Sequence, residues 1–180
     1  TQRYSILKWQ FLKILRKNLE KASFEKKAER GLYLGILEDY DVQWDLEKAA
    51  RDAWQNFFDA NDQTLDGIKS NFETNEENAK ATLWGPKDYD WRELVHIGAT
   101  TKKDSPTSAG GFGEGAKILA LVLLRDFGAK EVKFSSADWE VNYYLDKVPE
   151  ETYNKEVRGL FLKKEKREPE KGSSLEIAFE

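Results

Sequence analysis

The sequence predicts an α+β domain, a two-layer arrangement with helices on one face of a mostly antiparallel sheet, and three observations carry that prediction. Residues 45–60 repeat apolar side chains at helical spacing. Residues 116–127 form a strongly apolar run that is too short for the roughly 20 residues needed to span a bilayer. After Gly128, four β-rich segments follow one another with no helical pattern between them.

Taken in order, residues 5–27 place Leu7, Phe11, Ile14, Leu15, Leu19 and Ala22 at helical spacing, with lysines and arginines between them. This predicts a basic amphipathic helix forming an N-terminal extension over residues 1–30, with the main domain at 31–180. Such a helix packs on an acidic body, on a second copy or on another protein. An anionic membrane surface or nucleic acid is the alternative contact. Residues 31–37 are a short apolar strand or docking arm. Asp45 then predicts an N-cap, with Glu47 in the favourable first turn, for a helix over 45–60. Its apolar positions (Leu46, Ala49, Ala50, Ala53, Trp54, Phe57 and Phe58) follow one core-facing stripe.

Two strands are predicted at 68–74 and 79–84, joined by a polar turn at 75–78, and Gly85-Pro86 ends the second. Residues 91–97 form a short helical or irregular piece. The small, polar, glycine-rich stretch 100–113 predicts a loop, and 116–127 a helix closed by Gly128 as a left-handed terminator. Residues 130–136, 139–145, 157–166 and 174–179 read as strands.

Composition narrows the function classes. Charged residues make up 34% of the 180-residue chain, yet 29 Lys/Arg against 33 Asp/Glu leave a net charge of only −4. Residues 1–30 hold nine basic and three acidic side chains, so the remainder carries 20 against 30. Nucleic-acid binding through global charge is therefore disfavoured. With no cysteine, disulfides and thiolate metal sites are excluded, and an intracellular, cytoplasmic location is expected. Methionine is absent even at position 1, as in a fragment of a longer protein. His96 is the single histidine, so one chain cannot supply a multi-histidine metal site, and within Leu94-Val95-His96-Ile97-Gly98 it reads as structural rather than as a ligand.

Two clusters carry chemistry. Asp52, Asn56 and Asp59 stand at i, i+4 and i+7 of the predicted helix, in one narrow sector bordering its apolar face. Half-enclosed carboxylates there need a cation, a water, a ligand or neighbouring strands to pair with. The second cluster is Gly110-Gly111-Phe112-Gly113-Glu114-Gly115-Ala116-Lys117, which runs directly into a hydrophobic helix. Glycines let backbone N–H groups approach an anion, and a helix N-terminus adds its dipole. The spacing is neither that of a P-loop nor that of a dinucleotide fingerprint.

Together these stretches resemble the GHKL ATPases (gyrase, the ninety-kilodalton heat-shock chaperone, histidine kinases and MutL). Asp52-Ala53-Trp54-Gln55-Asn56-Phe57-Phe58-Asp59-Ala60 is similar to that family's N box. Residues 97–102 with 110–117 are similar to its lid and second glycine box, and Gly172-Ser173-Ser174-Leu175 to its late strand element. The resemblance implies the Bergerat two-layer sandwich, Mg²⁺ and ATP as ligands, and a slow ATP hydrolase in which a loop at 100–110 closes over the phosphates. It further implies that Asn56 ligates Mg²⁺ and that Asp52 stands in place of the general-base glutamate, one methylene shorter. Asp59, Lys102, Gly111, Phe112, Gly113, Glu114, Gly115, Ala116, Lys117 and Ser174 would line the nucleotide. ATP binding follows from it more directly than hydrolysis does.

The chain departs from the family at one place. The Asp-x-Gly-x-Gly box whose aspartate accepts the adenine amino group is missing, and residues 81–91 stand there instead. Asp88 or Asp90 acting as a substitute, or a loss of adenine specificity, are the alternatives. A fold retained as an interaction module, with nucleotide binding lost or weakened, is the competing expectation.

Overall fold

A computed structural model describes residues 31–95, 112–149 and 156–180. The chain divides into two compact units, Thr1–Leu32 and Tyr33–Glu180, and the elements named here belong to the second, Leu32 excepted. In chain order they are β1 (Leu32–Leu37), α1 (Leu46–Ala60), β2 (Lys69–Thr74), β3 (Ala79–Gly85), α2 (Arg92–Val95), α3 (Phe112–Arg125), β4 (Glu131–Lys147) and β5 (Arg158–Phe179). The predicted α+β class stands, with a mostly antiparallel five-stranded sheet. The predicted helix over 5–27 and the loop at 100–110 lie outside the described residues. None of the described helices is long and apolar enough to cross a membrane.

Helix α1 forms where its cap and period place it. The Asp45 carboxylate accepts from the Lys48 N–H at 2.7 Å, satisfying one of the free donors of the first turn. Ala49, Ala53 and Phe57 bury one stripe, with Phe57 1% exposed. Truncating a phenylalanine so enclosed costs about 3–5 kcal/mol.

Helix α3 begins at Phe112, four residues before the start predicted from its apolar run. Gly113 and Gly115 are drawn into its first turn, where the low helix propensity of glycine is offset by close packing against α1. Ala116, Leu119, Ala120, Leu121 and Val122 are at most 1% exposed, so this helix is buried nearly all round. Gly128, at φ +69°, turns the chain out of it, and the Ala129 N–H returns to the Leu123 carbonyl at 2.9 Å.

Four strands predicted after Gly128 prove to be two. β4 is 17 residues long and β5 is 22, paired antiparallel from Lys147–Arg158 to Glu131–Ala178. The polar stretches that looked like turns are irregularities in this ladder. Register shifts at Ser136, Ala137 and Trp139 leave extra β5 residues unpaired, and Pro169, which has no N–H to donate, falls among them. β3 takes the other side of β5 over Ser173–Phe179, β2 pairs outside β3, and β1 joins β5 near Arg158. A Cβ added to Gly159 would lie 2.7 Å from the Tyr33 ring, so only glycine lets β1 approach there.

The core is one cluster shared by α1, α3 and the inward face of the sheet, including Leu83, Val132, Phe134, Trp139, Val141, Leu160, Leu162 and Leu175. Lys80, Lys133 and Glu176 alternate onto the opposite face.

Candidate functional site

The two sequence clusters meet in space. A Cβ placed on Gly115 would lie 3.3 Å from Oδ2 of Asp52 and 3.9 Å from Oδ1 of Asn56. The first turn of α3 thus abuts the polar stripe of α1, with glycine supplying the close approach. The first four N–H groups of a helix have no intrahelical acceptor, and in α3 these belong to residues 112–115, the turn that holds Gly115.

Among the described residues, two polar atoms here lack protein partners. Oδ2 of Asp52 and Nδ2 of Asn56 are buried with no hydrogen-bond partner. Asn56 is only 8% exposed, so its amide has lost water without gaining a replacement. Burial pushes the Asp52 carboxyl above the usual carboxylate value, a rise that the nearby Lys48 and Arg51 charges offset only in part.

Lys117 is the second buried charge at this end of α3. It is 3% exposed, its ammonium donates to the Val95 carbonyl at the end of α2, and burial lowers its pKa. Glu114, which partly counters that shift, is exposed in the first turn. Among the described residues the Val95 carbonyl is the one hydrogen-bond acceptor of this ammonium, which has three donors.

The remaining predicted site residues distribute unevenly. Asp59 accepts from the Gln55 amide at 2.8 Å and is occupied along its own helix. Phe112 and Gly113 open α3, and Ala116 is core, 0% exposed. Lys102, Gly111 and His96 lie outside the described residues. Ser174 is not at the junction: its hydroxyl pairs with that of Ser135 at 2.7 Å, and Ser135 accepts from Arg167 on the helix-free face. Asp90 is exposed and accepts from the Arg92 N–H and guanidinium. Asp88 is also exposed, its Oδ1 accepting from the Gly172 N–H at 2.7 Å.

Residues the sequence reading passed over build the adjoining wall. Tyr89, 9% exposed, directs its hydroxyl towards the Asn56 carbonyl at 3.5 Å and towards Ser173. Its backbone is held by the strand irregularity: Ser136 Oγ accepts from the Tyr89 N–H at 2.9 Å, and the Trp139 indole donates to the Tyr89 carbonyl at 3.2 Å. Ser173, 2% exposed, stands opposite Gly85, against which Phe57 packs. Period-two alternation carried the signal, because Ser173 shares its phase with Leu175, Ile177 and Phe179 whereas Ser174 does not.

Compared with known proteins, the chain matches no family model and no curated sequence, so its chemistry rests on the site's own residues.

Proposed function

We propose that this domain binds Mg²⁺–ATP in the manner of a GHKL ATPase, in a Bergerat-type sandwich, and hydrolyses it slowly. The observation that carries the reading is the partnerless, buried Asp52 Oδ2 facing Gly115 in the first turn of α3, with Asn56 Oδ1 beside it, 3.9 Å from a Cβ placed on that glycine. A helix N-terminus and a buried ammonium favour an anion, while the adjacent carboxylate repels one. A divalent cation bound with the anion would reconcile the two. Mg²⁺ takes oxygen ligands, keeps several waters and needs few protein groups, which fits a single Asn56 carbonyl.

In this reading Asn56 holds the cation through Oδ1, and the backbone N–H groups at residues 112–115 receive phosphate oxygens. Lys117, two residues after Gly115, adds positive charge near the start of α3. Asp52, whose pKa burial has raised, accepts the proton of a water it orients. Bound Mg²⁺ would neutralise the phosphate charge that otherwise opposes attack.

Asn56→Ala tests this directly. The substitution removes a buried amide that already lacks a partner, so it should leave the melting temperature nearly unchanged. Calorimetric titration with Mg²⁺–ATP should show affinity falling by at least about tenfold, or 1.4 kcal/mol. Wild-type affinity in a folded variant would refute the assignment.

A further inference from the structure

β2 ends the sheet, and all six of its residues are exposed. Among the described residues its outer edge is unpaired, so it presents a row of free N–H and C=O groups, a template for another strand. The hairpin behind it is well fixed. The Asn75 side chain accepts from the Glu77 and Asn78 N–H groups at 3.0 and 2.8 Å, and the Asn75 N–H donates to the Asn78 carbonyl at 2.9 Å. Phe72 keeps 69% of its surface exposed on this edge. Polar edge strands are commonly protected by such charges, yet the order of side chains in β2 is self-complementary.

We propose that a second copy of this chain pairs its own β2 antiparallel to this one, about a two-fold axis through Asn71. The side-chain order fixes that axis. With Asn71 opposite its own copy, Lys69 stands opposite the second copy's Glu73, and Glu73 opposite its Lys69, giving two cross-strand ion pairs. Lys69, Asn71 and Glu73 occupy one face, so a central amide pair is flanked by two opposite-charge pairs. Asn71 Nδ2 already donates to Glu73 at 2.8 Å, holding that carboxylate on this face. On the other face Phe72 is opposite the second copy's Ser70 and diagonal to its Phe72, within reach of aromatic contact. Moving the axis to Ser70 sets Lys69 against asparagine, and moving it to Phe72 sets Glu73 against asparagine. Either shift loses both ion pairs.

The chain contains no cysteine, so a single introduced thiol reports the register without interference. Directly opposed residues of an antiparallel pair have Cα atoms about 4.5–5.5 Å apart, within disulfide range. Asn71→Cys is expected to yield a disulfide-linked dimer under mild oxidation at about 0.1–1 mM protein, a concentration suited to so small an interface. Ser70→Cys, placed opposite phenylalanine, is expected to form no disulfide-linked dimer. In sedimentation velocity, Lys69→Glu and Glu73→Lys should each weaken self-association, and the double variant should restore it. A monomeric Asn71→Cys variant, equal cross-linking of the two cysteine variants, or charge reversals without effect would each overturn the proposal. Self-association that survives both reversals would place the contact elsewhere on the chain.

Discussion

Asp52 is held at a cost that its environment makes measurable. Burial raises its pKa in the folded state, so the native form prefers the protonated carboxyl. Its contribution is favourable below the ordinary value of 3.8 and is lost as pH rises through the raised native value. At neutral pH the charged group therefore weakens the fold, and Asp52→Asn should raise the melting temperature by a few degrees. That gain should shrink as pH falls towards the ordinary carboxylate range, and a gain independent of pH would contradict it. The same variant should retain Mg²⁺–ATP binding and lose hydrolysis, the trade expected of a strained functional group. Gly115→Ala separates space from charge at the same junction. Alanine favours a helix by roughly 1 kcal/mol over glycine, but its methyl would crowd Asp52 Oδ2 at 3.3 Å. Stability should hold while Mg²⁺–ATP affinity drops in calorimetry, and unchanged affinity would show that the close approach has no role. Asp52 and Asn56 were legible because helical spacing alone puts i and i+4 side by side. Ser173 was not: the neighbouring serine matched the motif as well, and only strand phase separates them.

At the scale of elements, the connection from β1 to α1 depends on one side chain of α3. The Arg125 guanidinium donates to the carbonyls of Glu38, Tyr40 and Val42 at 2.9, 2.9 and 2.7 Å, and Asp126 holds it in place. A planar fork spreads its donors over separate nitrogens, Nη1 to Glu38 and Tyr40 and Nη2 to Val42, whereas an ammonium gathers its three on one atom. Arg125→Ala should therefore cost on the order of 2 kcal/mol in urea unfolding, and Arg125→Lys should recover little of it. Full recovery with lysine would show that charge, not the fork, matters. Nothing in the sequence marks Arg125, since its partners are backbone carbonyls more than 80 residues away. Helix α1 was legible through its cap and its stripe, both local. The early start of α3 was hidden because glycines signal a loop until tertiary packing rewards their small size. β4 and β5 were each divided in two by polar stretches, because a ladder that continues across a bulge depends on its partner strand.

Across the whole molecule, the sheet keeps its candidate chemistry and its charge network on opposite faces. On the helix-free face Glu176 takes Lys80 at 2.5 Å and Lys133 at 3.4 Å, bridging β3, β5 and β4. Burial alone would raise the Glu176 pKa, but the two lysines outweigh it and hold the carboxyl below its ordinary value of 4.5. A depressed native pKa contributes stability above that ordinary value and loses it as pH falls through the native one. Glu176→Gln should then melt lower than wild type at neutral pH, and the deficit should fade as both are titrated below 4.5. Because the pair joins three strands rather than lining the α1–α3 junction, the variant's Mg²⁺–ATP affinity should equal that of wild type. Ligand should also raise both melting temperatures in parallel, by about 2.7 kcal/mol of added stability at a hundredfold excess over Kd. If Glu176→Gln weakened binding as much as stability, the two faces would be coupled through β5, whose Ser173 and Glu176 lie three residues apart on opposite sides of the sheet.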